Sequence, residues 1–293
     1  MCISDCFSRF CTNIRMDTNK VAVIQGRYHR ITSIINKAYW NSDSDIKHSL
    51  YAGSYGRGTK CRYSDIDILV ELPTEFYRKY NNYKNNGQSA LIQHVKNTLG
   101  TTYSTSSIRG DGQVINISFS DGISFEIVPV FLNTDGLTYT YPDTNKGGSW
   151  KVTNPRAEIQ AMNELNNDTN KNLKKLCRIM RSWKDTCLVP ISGYLLDTLA
   201  YNFMKNYKYK DKSYLYYNFL SRDFFAYLYN FNQYQTYWYA PGSHELINEQ
   251  AKFCCKAKLA YENSLSAIKY EEDNLIYIAK SYWRNIYGPK FPQ

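Results

Sequence analysis

The sequence lacks the features of a membrane protein, of a zinc-binding protein and of a disulfide-bonded secreted protein. Its 293 residues contain no run of about 18 apolar residues, which excludes an ordinary membrane-spanning helix. The opening MCISDCFSRFC lacks an apolar stretch of signal-peptide length, so we expect a cytoplasmic protein without a membrane partner. The eight cysteines form no CxxC pair and the four histidines lie far apart. This excludes zinc-finger spacing and leads us to expect reduced thiols.

Acidic residues are outnumbered, since 36 Lys and Arg stand against 26 Asp and Glu and give a net charge of +10. Such a surplus suits polyanionic partners such as nucleic acids, nucleotides or anionic lipids. The chain is also crowded with Lys, Asn, Ile and 28 Tyr, which are all encoded by AT-rich codons. Codon bias therefore explains the charge equally well, and the charge alone selects no partner.

The periodicity of apolar residues divides the chain into a mixed first part and a helical second part. Helices are expected at Asn19–Trp40 and Ser89–Leu99, and strands at Ser64–Leu72, Gln113–Ser118 and Ile123–Phe131. From Pro155 onward, helical periods dominate. We therefore expect an α+β fold, with a mixed-sheet lobe and an N-terminal helix in residues 1–150 and a helical lobe in residues 151–293. Asp143–Asn154 is the expected join.

Two carboxylates stand at strand spacing in the segment 53–72. Because side chains alternate along a strand, Asp65 and Asp67 project from the same face, about 6–7 Å apart. Two carboxylates this close repel each other unless a cation lies between them. Their oxygens are the ligands that Mg²⁺ prefers, so the pair predicts a divalent metal site.

A glycine-rich turn comes directly before these carboxylates. Gly53, Gly56 and Gly58 allow backbone N–H groups to approach an anion closely, and the Ser54 hydroxyl can join them. A glycine-rich turn alone is usually only a turn, and a lone pair of aspartates is usually an exposed strand edge. A phosphate-binding turn a dozen residues before a metal site, however, indicates nucleotide chemistry.

A third acid lies inside an otherwise apolar strand, where an unpaired carboxylate is costly. If the strand that carries Glu126 pairs beside Asp65 and Asp67, the three carboxylates form a cluster able to hold two metal ions. The metal ligands, the phosphate-binding turn and their order together predict a nucleotidyltransferase site.

These motifs resemble those of a known family. The Gly53-Ser54 pair, Asp65 and Asp67, and a distant acid followed by Val128-Pro129 are similar to the DNA polymerase β-type nucleotidyltransferase superfamily. More narrowly, they resemble the bacterial CD-NTases (SMODS domain), which are relatives of cyclic GMP–AMP synthase and the 2′-5′ oligoadenylate synthases. Further similar segments follow along the chain: Gly148–Pro155, Lys171–Asp185, Tyr194–Leu199 and Tyr282–Pro292, the last of which is similar to the branch called clade E.

The resemblance implies a bilobed, polymerase β-like enzyme that makes a cyclic di- or oligonucleotide second messenger from NTPs, in bacterial anti-phage (CBASS) signalling. It implies two Mg²⁺ or Mn²⁺ ions, ATP with UTP or another NTP as substrates, a product-sensing effector protein as partner, and no required nucleic-acid activator. Two positions depart from the family. Glu126 stands where much of the family has Asp, and Arg181 stands where it usually has Lys.

The resemblance also assigns roles to individual residues. The metal-binding and catalytic residues are Asp65, Asp67 and Glu126, and the nucleotide- or phosphate-binding residues are Gly53, Ser54, Arg178, Arg181, Ser192 and Tyr194. Tyr194 either stacks on a nucleobase or packs in the core, which spacing alone does not separate. Asn163 and Asn166 are the candidates for base selectivity.

Three other functions fit the same residues. The chain could be a template-independent transferase acting on RNA or protein, with the aromatic segment Tyr207–Tyr239 as an RNA surface. It could be an oligonucleotide synthase that RNA activates. A non-catalytic nucleotide- or RNA-binding module is disfavoured, because such a module has no reason to keep a repulsive cluster of acids.

Overall fold

The computed structural model describes residues 1–61, 65–103, 106–232 and 234–293. The chain divides into two compact units, each built from separate stretches of sequence. The helical unit consists of Met1–Met16, Gly58–Arg62 and Ala157–Gln293, and the α/β unit consists of Asp17–Arg57 and Tyr63–Arg156. No helix in the described part of the chain is long and apolar enough to cross a membrane.

The α/β unit is built on a sheet that has seven strands among the described residues. The strands are β1 Ser49–Tyr51, β2 Ile66–Glu71, β3 Ser107–Asp111, β4 Val114–Ser118, β5 Ser124–Leu132, β6 Tyr139–Asp143 and β7 Ser149–Thr153. The first five lie in the order β1-β2-β5-β4-β3, while β6 pairs with β5 and β7 pairs with β6. β2 and β5 are parallel and the other pairs are antiparallel, so the sheet is mixed.

Four helices accompany this sheet: α2 Thr18–Tyr39, α3 Gly53–Gly56, α4 Thr74–Asn81 and α5 Gly87–Gly100. α2 begins where the side chain of Asp17 accepts hydrogen bonds from the backbone N–H groups of Asn19 and Lys20. Such a cap contributes about 1 kcal/mol. One face of β2 is apolar and fully buried through Ile66, Ile68 and Val70. The alternate positions of β2 therefore project from the opposite face, and Asp67 is one of them.

The helical unit contains most of the remaining elements. They are α1 Ile3–Asn13, α6 Pro155–Asp168, α7 Asn172–Thr186, α8 Gly193–Asn206, α9 Tyr217–Tyr229, α10 Cys254–Glu272 and α11 Ile276–Tyr287, together with the hairpin of β8 Tyr237–Tyr239 and β9 Leu246–Asn248. Its core joins residues far apart in the chain. The ring centroid of Phe7 lies 5.0 Å from that of Trp283 and 5.2 Å from that of Phe291. Asn13 Nδ2 donates to Lys290 O at 2.9 Å.

The aromatic segment Tyr207–Tyr239 contributes to this core. Tyr217 is buried, and its hydroxyl donates to Asn172 Oδ1 at 2.6 Å. The side-chain amide of Asn172 in turn donates to the backbone carbonyls of Lys210 and Lys212. Tyr234, in contrast, is 82% exposed. Tyr217 is therefore structural, and an RNA surface formed by the segment stays a prediction.

The α+β class and the helical C-terminal part are confirmed, while several elements differ from expectation. α1, α4 and β3 are present but were not predicted from the sequence. The expected join at Asp143–Asn154 contains β7, which is paired in the sheet. The start of the predicted strand at Ser64 lies outside the described residues. A lobe boundary after residue 150 stays a prediction, and the compact units are discontinuous in sequence.

Candidate active site

The acidic residues of the α/β unit meet because two strands lie side by side. β2 and β5 pair in parallel, and their register places Asp67 directly opposite Glu126. Paired residues on parallel strands project from the same face of a sheet, and Asp65 follows the same alternation two residues before Asp67. Asp65 is exposed, just before β2 begins. The strand pairing on which the predicted acidic cluster depended is thus present.

Glu126, the half-buried member of this cluster, has a perturbed pKa. Partial burial raises the pKa of Glu126 to about 7, and the negative charges of Asp67 and Asp65 act in the same direction. Carboxylates that raise one another's pKa favour a proton or a cation between them. The described residues contain no group of three Asp, Glu, His or Cys side chains already arranged around a metal position. The carboxylates therefore have the chemistry of a divalent metal site, and the ions themselves remain a proposal.

Gly53 contacts Asp67 so closely that a side chain at position 53 would displace the Asp67 carboxylate or the turn. The Gly53 backbone has φ +53°, and a Cβ at this position would lie 1.8 Å from Asp67 Oδ2. The backbone N–H of Ala52 donates to Asp67 O at 2.9 Å, which fixes the turn against β2. Ser54 follows in α3 and is buried. The glycine-rich turn is therefore a short helix at its start, and it lies directly beside a predicted metal ligand.

The residues that follow this turn pack on α7 within the helical unit. Arg178 Nη1 donates to Gly58 O at 2.8 Å, and the Cys61 thiol donates to Arg178 O at 3.6 Å. Thr59 Oγ1 donates to Asp197 Oδ2 at 2.6 Å. Gly58 has φ +71°, and a Cβ there would lie 2.9 Å from Lys174 Nζ. Gly58, Thr59 and Cys61 are thereby held by contacts with α7 and α8.

Three positively charged side chains, those of Arg178, Lys174 and Lys60, lie near these contacts. Burial lowers the pKa of Arg178, and the nearby charge of Arg15 lowers it further. Burial and the charge of Arg178 likewise lower the pKa of Lys174, and they lower that of Lys60 to about 8. Each of these groups would gain from an anion, because an anion favours the charged form of all three. Arg178 was predicted from the sequence to bind phosphate, whereas Lys60 was not.

Arg181 has a defined partner in the structure. Its Nε donates to Asp197 Oδ1 at 3.1 Å and its Nη2 donates to Asp197 Oδ2 at 2.7 Å. Nη2 also donates to Gly193 O at 3.0 Å. Burial alone would lower the pKa of Arg181, but the charge of Asp197 and the hydrogen bonds raise it above its ordinary value. Arg181 thus joins α7 to α8, and its contact with phosphate stays a prediction.

The other predicted residues of the helical unit lie on α6 and at the start of α8. Ser192 Oγ accepts a hydrogen bond from Leu195 N at 3.0 Å and caps α8. The Tyr194 hydroxyl donates to Glu158 Oε1. Asn166 is buried, and its Oδ1 accepts from Lys174 N at 3.0 Å, whereas Asn163 is exposed and accepts from Lys174 Nζ. Of the two base-selectivity candidates, Asn166 therefore has a structural contact that caps α7.

One family model and two curated proteins match the sequence of this chain. The model of the Second Messenger Oligonucleotide or Dinucleotide Synthetase domain matches residues 1–166. A probable cyclic nucleotide synthase of Bacillus cereus is 24% identical over 278 residues, which cover 82% of this chain and 81% of that protein. The cyclic AMP-AMP-AMP synthase of an Acinetobacter species is 23% identical over 165 residues, which cover 55% of this chain and 47% of that protein.

Solved structures with a similar fold extend over nearly the whole chain. The di-nucleotide cyclase DncV of Vibrio cholerae, solved as a double mutant, has a TM-score of 0.72 and 12% identity and covers 96% of this chain and 93% of its own. CdnC of Escherichia coli MS115-1, solved with ATP, has a TM-score of 0.67 and 15% identity, with coverage of 99% and 98%. At these identities the likeness establishes the fold.

Proposed function

Because the chain belongs to the Second Messenger Oligonucleotide or Dinucleotide Synthetase domain family, we propose that it joins NTPs into a cyclic di- or oligonucleotide. The observation that carries this proposal is the pairing of Asp67 with Glu126 across parallel strands, with Gly53 against the Asp67 carboxylate. We further propose that the product signals to an effector protein in anti-phage (CBASS) defence.

Asp65, Asp67 and Glu126 fit a pair of Mg²⁺ or Mn²⁺ ions. Hard carboxylate oxygens are the ligands these ions take, and the raised pKa of Glu126 reports a cluster of negative charge that a cation would stabilise. Bound there, the ions supply charge neutralisation at the reacting phosphate and a lowered pKa of the attacking ribose hydroxyl. The chain then needs no side-chain general base. Its own part is to hold the three carboxylates on one face of the sheet.

The backbone N–H groups of the turn and the Ser54 hydroxyl are proposed to donate to the β- and γ-phosphates of the donor nucleotide. Gly53 is suited to this role because it has no Cβ to keep a ligand away from the backbone. Phosphate binding by the helical unit is proposed for Arg178, Arg181 and Ser192. Arg178 has the most direct support, since its charge and that of Lys60 lie in a region whose lowered pKa values favour an anion.

Two residues are proposed to contact the base. Tyr194 presents an aromatic ring on which any nucleobase can stack. Asn163 is the better of the two selectivity candidates, because it is exposed while Asn166 caps a helix. The substrates are proposed to be ATP together with UTP or another NTP. Related proteins solved with ATP and with GTP support NTP substrates.

The proposal is tested by incubating the protein with four labelled NTPs and Mg²⁺ or Mn²⁺, without nucleic acid. After phosphatase treatment we expect a resistant species, which is the mark of a cyclic product, and omission of each NTP in turn identifies its bases. Mn²⁺ and Mg²⁺ are removed by EDTA in a parallel reaction, which should give no product.

The variant Asp65→Asn/Asp67→Asn should form no product while keeping its melting temperature. Asp43→Asn is the matched control, because Asp43 is a carboxylate of the same unit whose side chain is 96% exposed. Product formation by the double variant would contradict the proposal. A product that appears only when RNA is added, with label transferred to the RNA, would favour the terminal-transferase alternative instead.

A further inference from the structure

The hydroxyl of Tyr194 is held by two residues that lie far from it in sequence. Glu158, in the first turn of α6, is 5% exposed, and its Oε1 accepts the hydrogen of the Tyr194 hydroxyl. The same oxygen accepts a hydrogen bond from Ser243 Oγ at 3.1 Å. Since both donors converge on one buried carboxylate oxygen, the position of the Tyr194 hydroxyl depends on Glu158 and, through it, on Ser243.

Ser243 is itself fixed by the turn between β8 and β9. Ala240 N donates to Glu245 O at 2.9 Å and His244 N donates to Ala240 O at 3.1 Å, which closes the turn. Gly242 has φ +78°, and a Cβ there would lie 2.2 Å from Ala157 O. The turn therefore lies directly against the first turn of α6, the turn that carries Glu158, and only glycine permits this approach.

We propose that Glu158 and Ser243 are positioning residues that fix the ring of Tyr194 and thereby set the affinity for the nucleobase. The proposal rests on the proposed function, in which this ring stacks on a base. The ring is tethered at its Cα by α8 and at its hydroxyl by Glu158, so the position and the long axis of the ring are fixed. A base that stacks on a ring already in place loses less conformational entropy on binding than one that must order the ring first.

The test is a double-variant cycle on Glu158 and Tyr194, read as the KM for NTP and as kcat. Glu158→Ala should raise KM by about tenfold, within the range that base–aromatic stacking contributes, and change kcat by less than about threefold. Tyr194→Phe keeps the ring but loses the hydroxyl that donates to Glu158. Its KM should therefore rise about as much as that of Glu158→Ala. Combined with Tyr194→Phe, the change Glu158→Ala should add less than about twofold, since the contact is already lost.

Two further variants separate positioning from a merely structural role. Glu158→Gln keeps an oxygen acceptor and should restore KM to within about twofold of the original protein. Glu164→Ala is the matched control, because Glu164 is an exposed glutamate of the same helix whose partner is Gln160. If Glu158→Ala fails to fold, Ser243→Ala serves as the milder change, with an expected rise in KM of about threefold. The proposal would be overturned if Glu158→Ala and Ser243→Ala both left KM unchanged. It would also be overturned if Glu158→Ala raised KM by the same factor in the original protein and in the Tyr194→Phe variant.

Equilibrium binding of a nonhydrolysable ATP analogue, measured by calorimetry, separates this inference from the proposed function. If no product forms but Glu158→Ala weakens binding by about tenfold, the positioning role stands and the synthase function fails. If product forms while both KM and Kd are unaffected by Glu158→Ala, the function stands and the positioning role fails. If the original protein neither binds the analogue nor forms product, both fail.

Discussion

The contact between Gly53 and Asp67 makes a single methyl group a test of the whole site. The change Gly53→Ala places a carbon 1.8 Å from Asp67 Oδ2, whereas ordinary contact begins at 3.4 Å. The carboxylate must therefore move by about 1.6 Å or the turn must move away from β2. The left-handed backbone at φ +53° adds a strain of about 1–2 kcal/mol for any residue with a Cβ.

The two effects are measured separately. A displacement of about 1 Å in a catalytic group costs roughly a hundredfold in rate, so we expect kcat for product formation to fall by at least that factor. Backbone strain lowers the melting temperature by about 2–4 °C for each kcal/mol in a chain of this size. The assay is the phosphatase-resistance measurement, with thermal unfolding of the same preparation.

Gly122→Ala is the matched control for strain. Gly122 also has a left-handed backbone, at φ +77°, and no atom of the described residues lies within 4 Å of the position of its Cβ. This variant should lose about the same stability and keep its activity. Retention of more than about a third of the activity by Gly53→Ala, or an equal loss in Gly122→Ala, would refute the assignment of Asp67 and Gly53 to the reaction centre.

Two further predictions concern the fold. Asp197→Asn removes the counter-charge of Arg181, whose side chain is only 14% exposed. It should lower the free energy of unfolding by about 3–5 kcal/mol. Thr59→Val removes one hydrogen-bond donor to the same carboxylate and should lower it by about 1–2 kcal/mol. Urea denaturation checks both, and an equal cost would contradict the ion-pair argument. Burial and the charge of Lys79 lower the pKa of His94, so the unfolded state takes up a proton first and stability falls as the pH drops below about 6.5. His94→Phe should weaken that fall in denaturation curves between about pH 7.5 and 5.5, and an unchanged slope would show that another group titrates.

The shared face of Asp65 and Asp67 could be predicted because strand alternation is local, whereas the pairing of β2 with β5, which sets Glu126 opposite Asp67, joins residues far apart in the chain. Strand alternation places Asp65 and Asp67 on one face, and a costly carboxylate in an apolar strand marks Glu126 as a partner. The sequence Ser120-Asp121-Gly122 is also typical of a hairpin turn, and β4 and β5 pair across it. Each inference needed only the periodicity of a strand and the chemistry of a charge.

Some contacts could not be predicted from the sequence because they join residues that lie on different helices. Arg181 and Asp197 lie on separate helices, and Glu158 meets Tyr194 only because α6 and α8 pack in the same unit. A motif position predicts Arg181 as a phosphate ligand, which stays a prediction, but it does not reveal that Asp197 binds the guanidinium. α1, in contrast, has a local signal that was missed, because its buried residues Ile3, Cys6, Phe7, Phe10 and Cys11 follow helical spacing in the sequence itself.

The closing of the helical core by Phe7 against Trp283 and Phe291 has a consequence for the order in which the protein is made. Asn13 and Lys290 are 277 residues apart in sequence, so at ~5–20 residues per second the ribosome needs roughly 14–55 s to produce the second after the first. Until the end of that interval α1 lacks part of the core that covers it, since Trp283 and Phe291 are made last. The α/β unit from Asp17 onward can meanwhile fold on most of its own sequence. The apolar face of α1 therefore becomes fully covered only when synthesis has reached Phe291.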